Sequence, residues 1–176
     1  MSSEMLHTAD WLIEQTDLRA ELVQGQVVPR KPLHGPVLGR IVIKLGSSIY
    51  AWATEHELGE AYATGTGFLL ERDPDTVRAA DCAFVSRERI ESLGLRPSRK
   101  YWHCAPDLVA EILSPSDRWS EVEAKTEQWL AAGSLVVLLV DPETASVTIR
   151  RPNGSSEHRS GADTTLALPD VLPGWS

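Results

Sequence analysis

The segment Pro106-Asp107-Leu108-Val109-Ala110-Glu111-Ile112-Leu113 constrains the fold of this chain more than any other. It is short, apolar and opened by a proline, and it reads as a buried strand. Near its end, however, it carries the carboxylate of Glu111 with no basic residue beside it. A carboxylate taken out of water alone is costly, so it shifts its pKa, collects hydrogen-bond donors or meets a cation. Side chains alternate along a strand, which puts Asp107, Val109 and Glu111 on one face. The turn Ser114-Pro115-Ser116-Asp117 follows, and then a helix over residues 119–132 in which Val122, Lys125 and Trp129 form one stripe at three- and four-residue spacing. Gly133 is a plausible stop for that helix, and residues 135–140 form an unbroken apolar run ended by Asp141-Pro142, as expected of a central strand.

The rest of the chain reads as mixed α/β. Thr8 is placed to cap a short helix over residues 9–15, with Trp11 and Leu12 facing inward. Residues 21–28 form a hairpin turning at Gln24-Gly25. Apolar residues at 37, 38, 41, 42, 45, 49 and 52 give helical spacing from Pro36 to Thr54. Strands are expected at 58–64, at 67–70 and, after Asp73-Pro74-Asp75, at 77–85, the last carrying Asp81. Residues 87–99 are polar and basic and read as a surface loop with a short helical piece. A last hairpin joins 146–151 to 156–159, and the tail is anchored by Leu166, Leu168, Leu172 and Trp175.

With 176 residues, 42% of them hydrophobic and 24% charged, the chain is long enough to bury a core as one domain and too apolar for general disorder. The formal net charge of −8 argues against coating nucleic acid by bulk charge, but not against a local basic groove or a bound metal. Cys82 and Cys104 form no CxxC pattern and read as small core residues of a reduced, cytoplasmic protein. No apolar stretch approaches the roughly 18 residues of a membrane span, and the start Met1-Ser2-Ser3-Glu4-Met5 does not look like a signal peptide.

Chemistry centres on three residues. Asp81 and Glu111, if their strands are neighbours, offer hard oxygen ligands for a divalent metal, and Lys125 offers the nearby cation that phosphodiester cleavage needs to orient water and offset charge. Each has a plainer reading. Glu111 pairs with a buried arginine or with Lys125 as a structural salt bridge; Asp81 is a strand-end acid; Lys125 makes an i,i+4 pair with Glu121. Asp107 lies about 13 Å along the strand from Glu111, too far to share one metal, and is read as structural.

At this point the residues resemble a known family. The block Pro106–Ser116, followed by Lys125, Trp129, Gly133 and Val140-Asp141-Pro142, is similar to the Uma2 family of putative restriction endonucleases. That family is also known as domain of unknown function 820 and belongs to the PD-(D/E)xK nuclease superfamily. Ala80-Asp81-Cys82-Ala83-Phe84-Val85-Ser86 resembles its first metal-acid strand, and Glu21-Leu22-Val23-Gln24-Gly25 its N-terminal acidic hairpin, so the likeness runs from Leu18 to Arg151. The resemblance implies a restriction-endonuclease-like core, a mixed central sheet flanked by helices with an N-terminal β-hairpin layer. It further implies DNA as substrate, Asp81 and Glu111 as ligands for Mg²⁺ or Mn²⁺, and Glu21 as an auxiliary acid. Leu113 stands where the superfamily's ExK lysine would be; Lys125 is the matching helix lysine, with Glu121 at the acidic site before it.

Other residues receive bland readings. His34 is a surface or capping residue, and Cys82, His103 and Cys104 do not have zinc-site spacing. Arg87, Arg89, Arg96, Arg99 and Lys100 form a solvated loop that is nevertheless the best candidate for a DNA-facing patch. Ser114 and Ser116 are turn and helix-cap residues without a histidine partner. Against the nuclease stand two other expectations: an inactive nuclease-fold module working through protein contacts, and a hydrolase of small phosphorylated substrates. The resemblance also implies a homodimer, since the superfamily often pairs subunits to cut two strands.

Overall fold

The computed structural model describes residues 5–30, 35–94, 100–161 and 165–176; His34, Arg96 and Arg99 lie outside them. The chain begins with α1 (Ala9–Glu14), whose cap is as expected: the Thr8 hydroxyl accepts from Trp11 N–H. β1 (Ala20–Val23) and β2 (Gln26–Pro29) form the N-terminal hairpin, and Gln24 and Gly25 at its turn both take positive φ. That backbone is the two-residue turn whose twist matches paired strands.

Helix α2 (Pro36–Glu55) comes next, then β3 (Gly59–Ala63), β4 (Gly67–Glu71), β5 (Thr76–Ala79), β6 (Cys82–Ser86) and α3 (Arg87–Ser92). After these come β7 (Leu108–Ile112), α4 (Trp119–Ala131), β8 (Val136–Asp141), β9 (Ser146–Arg150) and β10 (Ser156–Ser160). Gly133, at φ +108°, ends the α4 turn as anticipated. Two sheets result: a small one ordered β2-β1-β5-β4 and a large one ordered β10-β9-β8-β7-β6-β3. In the large sheet β7 and β8 are parallel, joined across α4, and the other neighbours are antiparallel.

The single strand expected over 77–85 is in fact two. β5 pairs with β1 and β4 in the small sheet, and β6 pairs with β3 and β7 in the large one. The chain changes sheets at Ala80-Asp81, so Asp81 sits at a bend rather than within a strand. Residues on both sides are apolar enough to continue a strand, which is why the break is invisible locally.

Both faces of the large sheet are covered, which accounts for the unbroken apolar runs in its central strands. Leu108 and Ala110 of β7, Val136 and Leu138 of β8 and Phe84 of β6 face a core shared with Ile49 and Ala53 of α2. Leu168, Leu172 and Trp175 of the tail are buried in that core as expected, while Leu166 packs against it only half-buried. The alternate residues Val109, Val137, Leu139, Ala83 and Val85 face the other way, onto Val122 and Trp129 of α4. Cys82 belongs to the first core and Cys104 to the second; on opposite faces, the two thiols share no site. By the same alternation Glu111 goes to the α4 face. No described helix is long and apolar enough to cross a membrane.

Candidate active site

Glu111 meets α4 where the stripe predicts. Its Oε1 accepts from Lys125 Nζ at 2.8 Å and from the indole Nε1 of fully buried Trp129 at 3.0 Å. Among the described residues no donor reaches Oε2. Lys125 Nζ also donates to the Ala79 carbonyl at 2.9 Å and lies 3.5 Å from Glu21 Oε1. The i,i+4 alternative is therefore not what the chain adopts: Lys125 turns inward, and Glu121 pairs with Arg118 at 3.6 Å.

Glu21, an exposed hairpin acid by default, is buried. It faces Arg78, the residue after Val77, which pairs with Leu22 across the β1–β5 ladder. Glu21 Oε2 accepts from Arg78 Nη1 at 2.7 Å, and Oε1 accepts from Ala79 N–H at 2.9 Å. Arg78 Nε in turn donates to Gln128 Oε1 on α4 at 2.8 Å. No sequence motif singles out Arg78 or Gln128. An arginine inside an otherwise apolar strand was a signal of the same kind as Glu111, but its acid lies far away in the chain.

Asp81 closes the cluster. Cys82 pairs with Ala110, and one step further along this antiparallel register Asp81 stands opposite Glu111. Its backbone N–H donates to Ala110 O at 3.2 Å, and its Oδ2 accepts from Ile112 N–H at 2.8 Å.

Arg78 and Lys125 are paired with Glu21 and Glu111, and Asp81 adds a third carboxylate beside Glu111. Burial pushes Glu111 above the ordinary glutamate value; Lys125 opposes the shift, and the charges of Asp81 and Glu21 reinforce it. For Glu21 burial acts the same way, but Lys125, Arg78 and the Ala79 N–H outweigh it and hold the carboxyl below its usual range. Burial would also depress Lys125, yet Glu111 and then Glu21 hold its ammonium above the ordinary value. At neutral pH Lys125 is thus a proton donor and a positive charge, not a base.

All four residues line one groove of about 740 Å³ between the small sheet, the end of β7 and α4. The donor set fits a hard divalent cation: among the described residues no donor reaches Glu111 Oε2, and the crowding of Glu111 by the charges of Asp81 and Glu21 is what such a cation offsets. Among the described residues no group of three or more acids, histidines or cysteines forms a metal cage. Mg²⁺ is commonly held by one or two carboxylates with water and phosphate oxygens completing its shell, so two acids suffice.

The remaining candidates have structural places. Asp107 Oδ2 accepts from Ser86 N–H at 2.7 Å, and Oδ1 accepts from Arg89 Nε at 2.9 Å. Arg89 also donates to the carbonyls of Ala105 and Gly133, at 3.1 and 2.9 Å. This corrects the reading of Arg89 as part of a solvated, DNA-facing loop: it is a clamp joining three segments. Arg87 is exposed, and Lys100 pairs with Asp10 at 3.0 Å. Ser114 belongs to a turn bonded to Asp117, but the N-cap of α4 is Arg118, so neither Ser114 nor Ser116 caps the helix.

The family described as "Uma2: Putative restriction endonuclease" matches residues 4–176 of this sequence. No protein with a curated description matches it. Among solved structures, a putative nuclease belonging to DUF820 from Anabaena variabilis ATCC 29413 is similar at a TM-score of 0.77. The two share 21% sequence identity over 94% of this chain and 90% of that one, a likeness of fold. The mixed sheet flanked by helices is the restriction-endonuclease-like core that the sequence resemblance implies.

Proposed function

Since the chain belongs to the Uma2 family of putative restriction endonucleases, we propose that it is a divalent-metal-dependent endonuclease that hydrolyses DNA phosphodiester bonds in the groove beside α4. The observation that carries this reading is the convergence of Asp81, Glu111 and Lys125 from three separate segments onto one groove wall. Asp81 and Glu111 would hold Mg²⁺ or Mn²⁺, which when bound polarises the phosphate and lowers the pKa of the attacking water. A divalent cation would relieve the same crowding of negative charge that raises the proton affinity of Glu111.

The chain's own residues supply the rest. Lys125, held protonated by its two glutamates, presents a fixed positive charge and proton donor to the developing charge on phosphate. Glu21 has donors on both oxygens, so its part is to hold Lys125 and not to ligate metal. Arg78 and Gln128 fix Glu21 and tie the small sheet to α4. Trp129 fixes Glu111 from below through its indole N–H. Cutting both strands of a duplex needs two such sites, which a homodimer would provide.

A second reading has its own observation. Lys125 and Glu111 already neutralise one another at 2.8 Å, as in a structural ion pair within an inactive nuclease-fold module. The two are separated by incubating supercoiled plasmid and single-stranded DNA with the purified protein in Mg²⁺ and in Mn²⁺, beside a Glu111→Gln control. Metal-dependent nicking lost in the control supports the nuclease. Absence of cleavage together with no metal-induced rise in melting temperature rejects it in favour of the module.

A further inference from the structure

The groove contains four basic side chains: Arg19, Arg30, Arg78 and Lys125. Arg78 and Lys125 are committed to Glu21 and Glu111. Arg19 and Arg30 are not: among the described residues neither makes an ion pair. Arg19 is exposed, and Arg30 reaches Thr64 Oγ1 from its Nη2 at 3.4 Å. They are also cross-strand neighbours. The β1–β2 register pairs Ala20 with Pro29, and the next step, closed by Arg30 N–H donating to Arg19 O at 2.9 Å, sets the two arginines opposite each other. Like charges directly opposite across a ladder are destabilising. Alternation puts Arg19 on the same face as Glu21, toward the acids of the site.

A second, smaller cavity of about 240 Å³, lined by Leu12, Leu18 and Tyr101, opens beside the first. Both cavities include Arg19, Arg30 and Gly65, so the pair stands where the two spaces meet. Among the described residues neither guanidinium has a carboxylate partner, and the pair lies across the groove from α4, open to an anion between or beside them. Guanidinium forks match phosphate oxygens in geometry as well as charge.

We propose that Arg19 and Arg30 form a phosphate clamp that seats the nucleic-acid backbone next to the scissile bond. The proposal rests on the nuclease reading and deepens it: these are substrate-positioning residues. They supply the attraction that the overall charge of −8 denies to the rest of the surface.

The test is binding of a short fluorescein-labelled DNA duplex, followed by anisotropy in Ca²⁺ across a salt series, for wild type, Arg19→Ala, Arg30→Ala, the double variant and Arg30→Lys. Each alanine should weaken binding about tenfold, as loss of a hydrogen bond to a charged group does. Each should also make the log–log salt dependence shallower by about 0.9, the value of one phosphate contact on B-DNA. Arg30→Lys should keep the salt slope while losing part of the affinity, and in Mg²⁺ the double variant should raise KM and leave kcat at saturating DNA unchanged. A folding defect would not produce that split. If wild type binds and nicks DNA and the double variant has the same affinity and slope, the clamp is wrong and the nuclease reading stands. If wild type neither binds nor nicks DNA, both fall together.

Discussion

Replacing Lys125 with methionine isolates the electrostatics of the site, because methionine keeps most of the apolar stem and removes only the ammonium. Three partners lose their donor: Glu111 Oε1 at 2.8 Å, the Ala79 carbonyl at 2.9 Å and, more distantly, Glu21 Oε1 at 3.5 Å. Glu21 keeps Arg78 and the Ala79 N–H, whereas among the described residues Glu111 keeps only the Trp129 indole. Breaking a fully buried pair from one side costs about 3–5 kcal/mol. Here the Lys125 and Glu111 side chains are 21% and 15% exposed, so water relieves part of the loss and the low end applies, about 3 kcal/mol at neutral pH. For a chain of this length that is a fall in Tm of roughly 6–12 °C.

The sign of the pH dependence follows from Glu111. Its native pKa lies above the unfolded value of 4.5 even with Lys125 in place, and losing Lys125 raises it further. A carboxyl that holds its proton more tightly when folded gives stability that is full below the unfolded pKa and lost as pH rises through the native one. The Lys125→Met deficit should therefore be largest near pH 8 and shrink on acidification toward pH 5. Millimolar Mg²⁺ should restore more stability to the variant than to wild type, since the cation replaces the missing charge. Differential scanning fluorimetry over pH, with and without Mg²⁺, reads all of this. A deficit below about 1 kcal/mol, or one that does not change with pH, would refute the claim that Lys125 compensates a buried charge.

Other consequences are as direct. Arg89→Ala leaves Asp107 buried with, among the described residues, only the Ser86 N–H and uncaps two carbonyls, so denaturant unfolding should show a loss of about 3 kcal/mol or more. An equal loss for the exposed Arg87→Ala would point instead to a general effect of charge in α3. Trp129→Phe removes the indole N–H from Glu111 and part of a fully buried ring. It should cost about 2 kcal/mol by chemical denaturation and weaken Mg²⁺-dependent stabilisation, whereas unaltered metal response would separate Trp129 from the site. Burial pushes both thiols up to about 11, so native Cys82 and Cys104 should resist a thiol reagent at pH 8 and react only on unfolding. Rapid labelling of either in the folded protein would contradict the packing.

The hairpin at Gln24-Gly25, the long α2 and the βαβ passage from β7 through α4 to β8 were all legible because their signals are local: a turn dipeptide, a helical period, an apolar run with a stop. The lone Glu111 and the inward stripe of Lys125 were legible for the same reason, and each implied a partner that it could not name. The parts that escaped depend on distance along the chain. The change of sheet at Ala80-Asp81 leaves no local mark, since β strength on either side is the same whichever sheet the strand joins. Arg89 looked like one more surface arginine because its acceptors, Ala105, Asp107 and Gly133, come from loops brought together only by the large sheet. Arg78 and Gln128 are similar: a two-residue bridge between hairpin, sheet and helix is not written in any one of them.

The two-residue turn at Gln24-Gly25 has an evolutionary consequence. It sets the β1–β2 register, and that register places Glu21 and Arg19 on the groove side and Arg30 beside Arg19. Because the side-chain period of a strand is two, inserting or deleting a single residue there would rotate one strand's whole set of side chains to the opposite face. The β9–β10 connection carries no groove residue and is free to drift in length among descendants. The N-terminal hairpin is not: relatives that keep this groove should keep its loop length even after most of the residues around it have been exchanged.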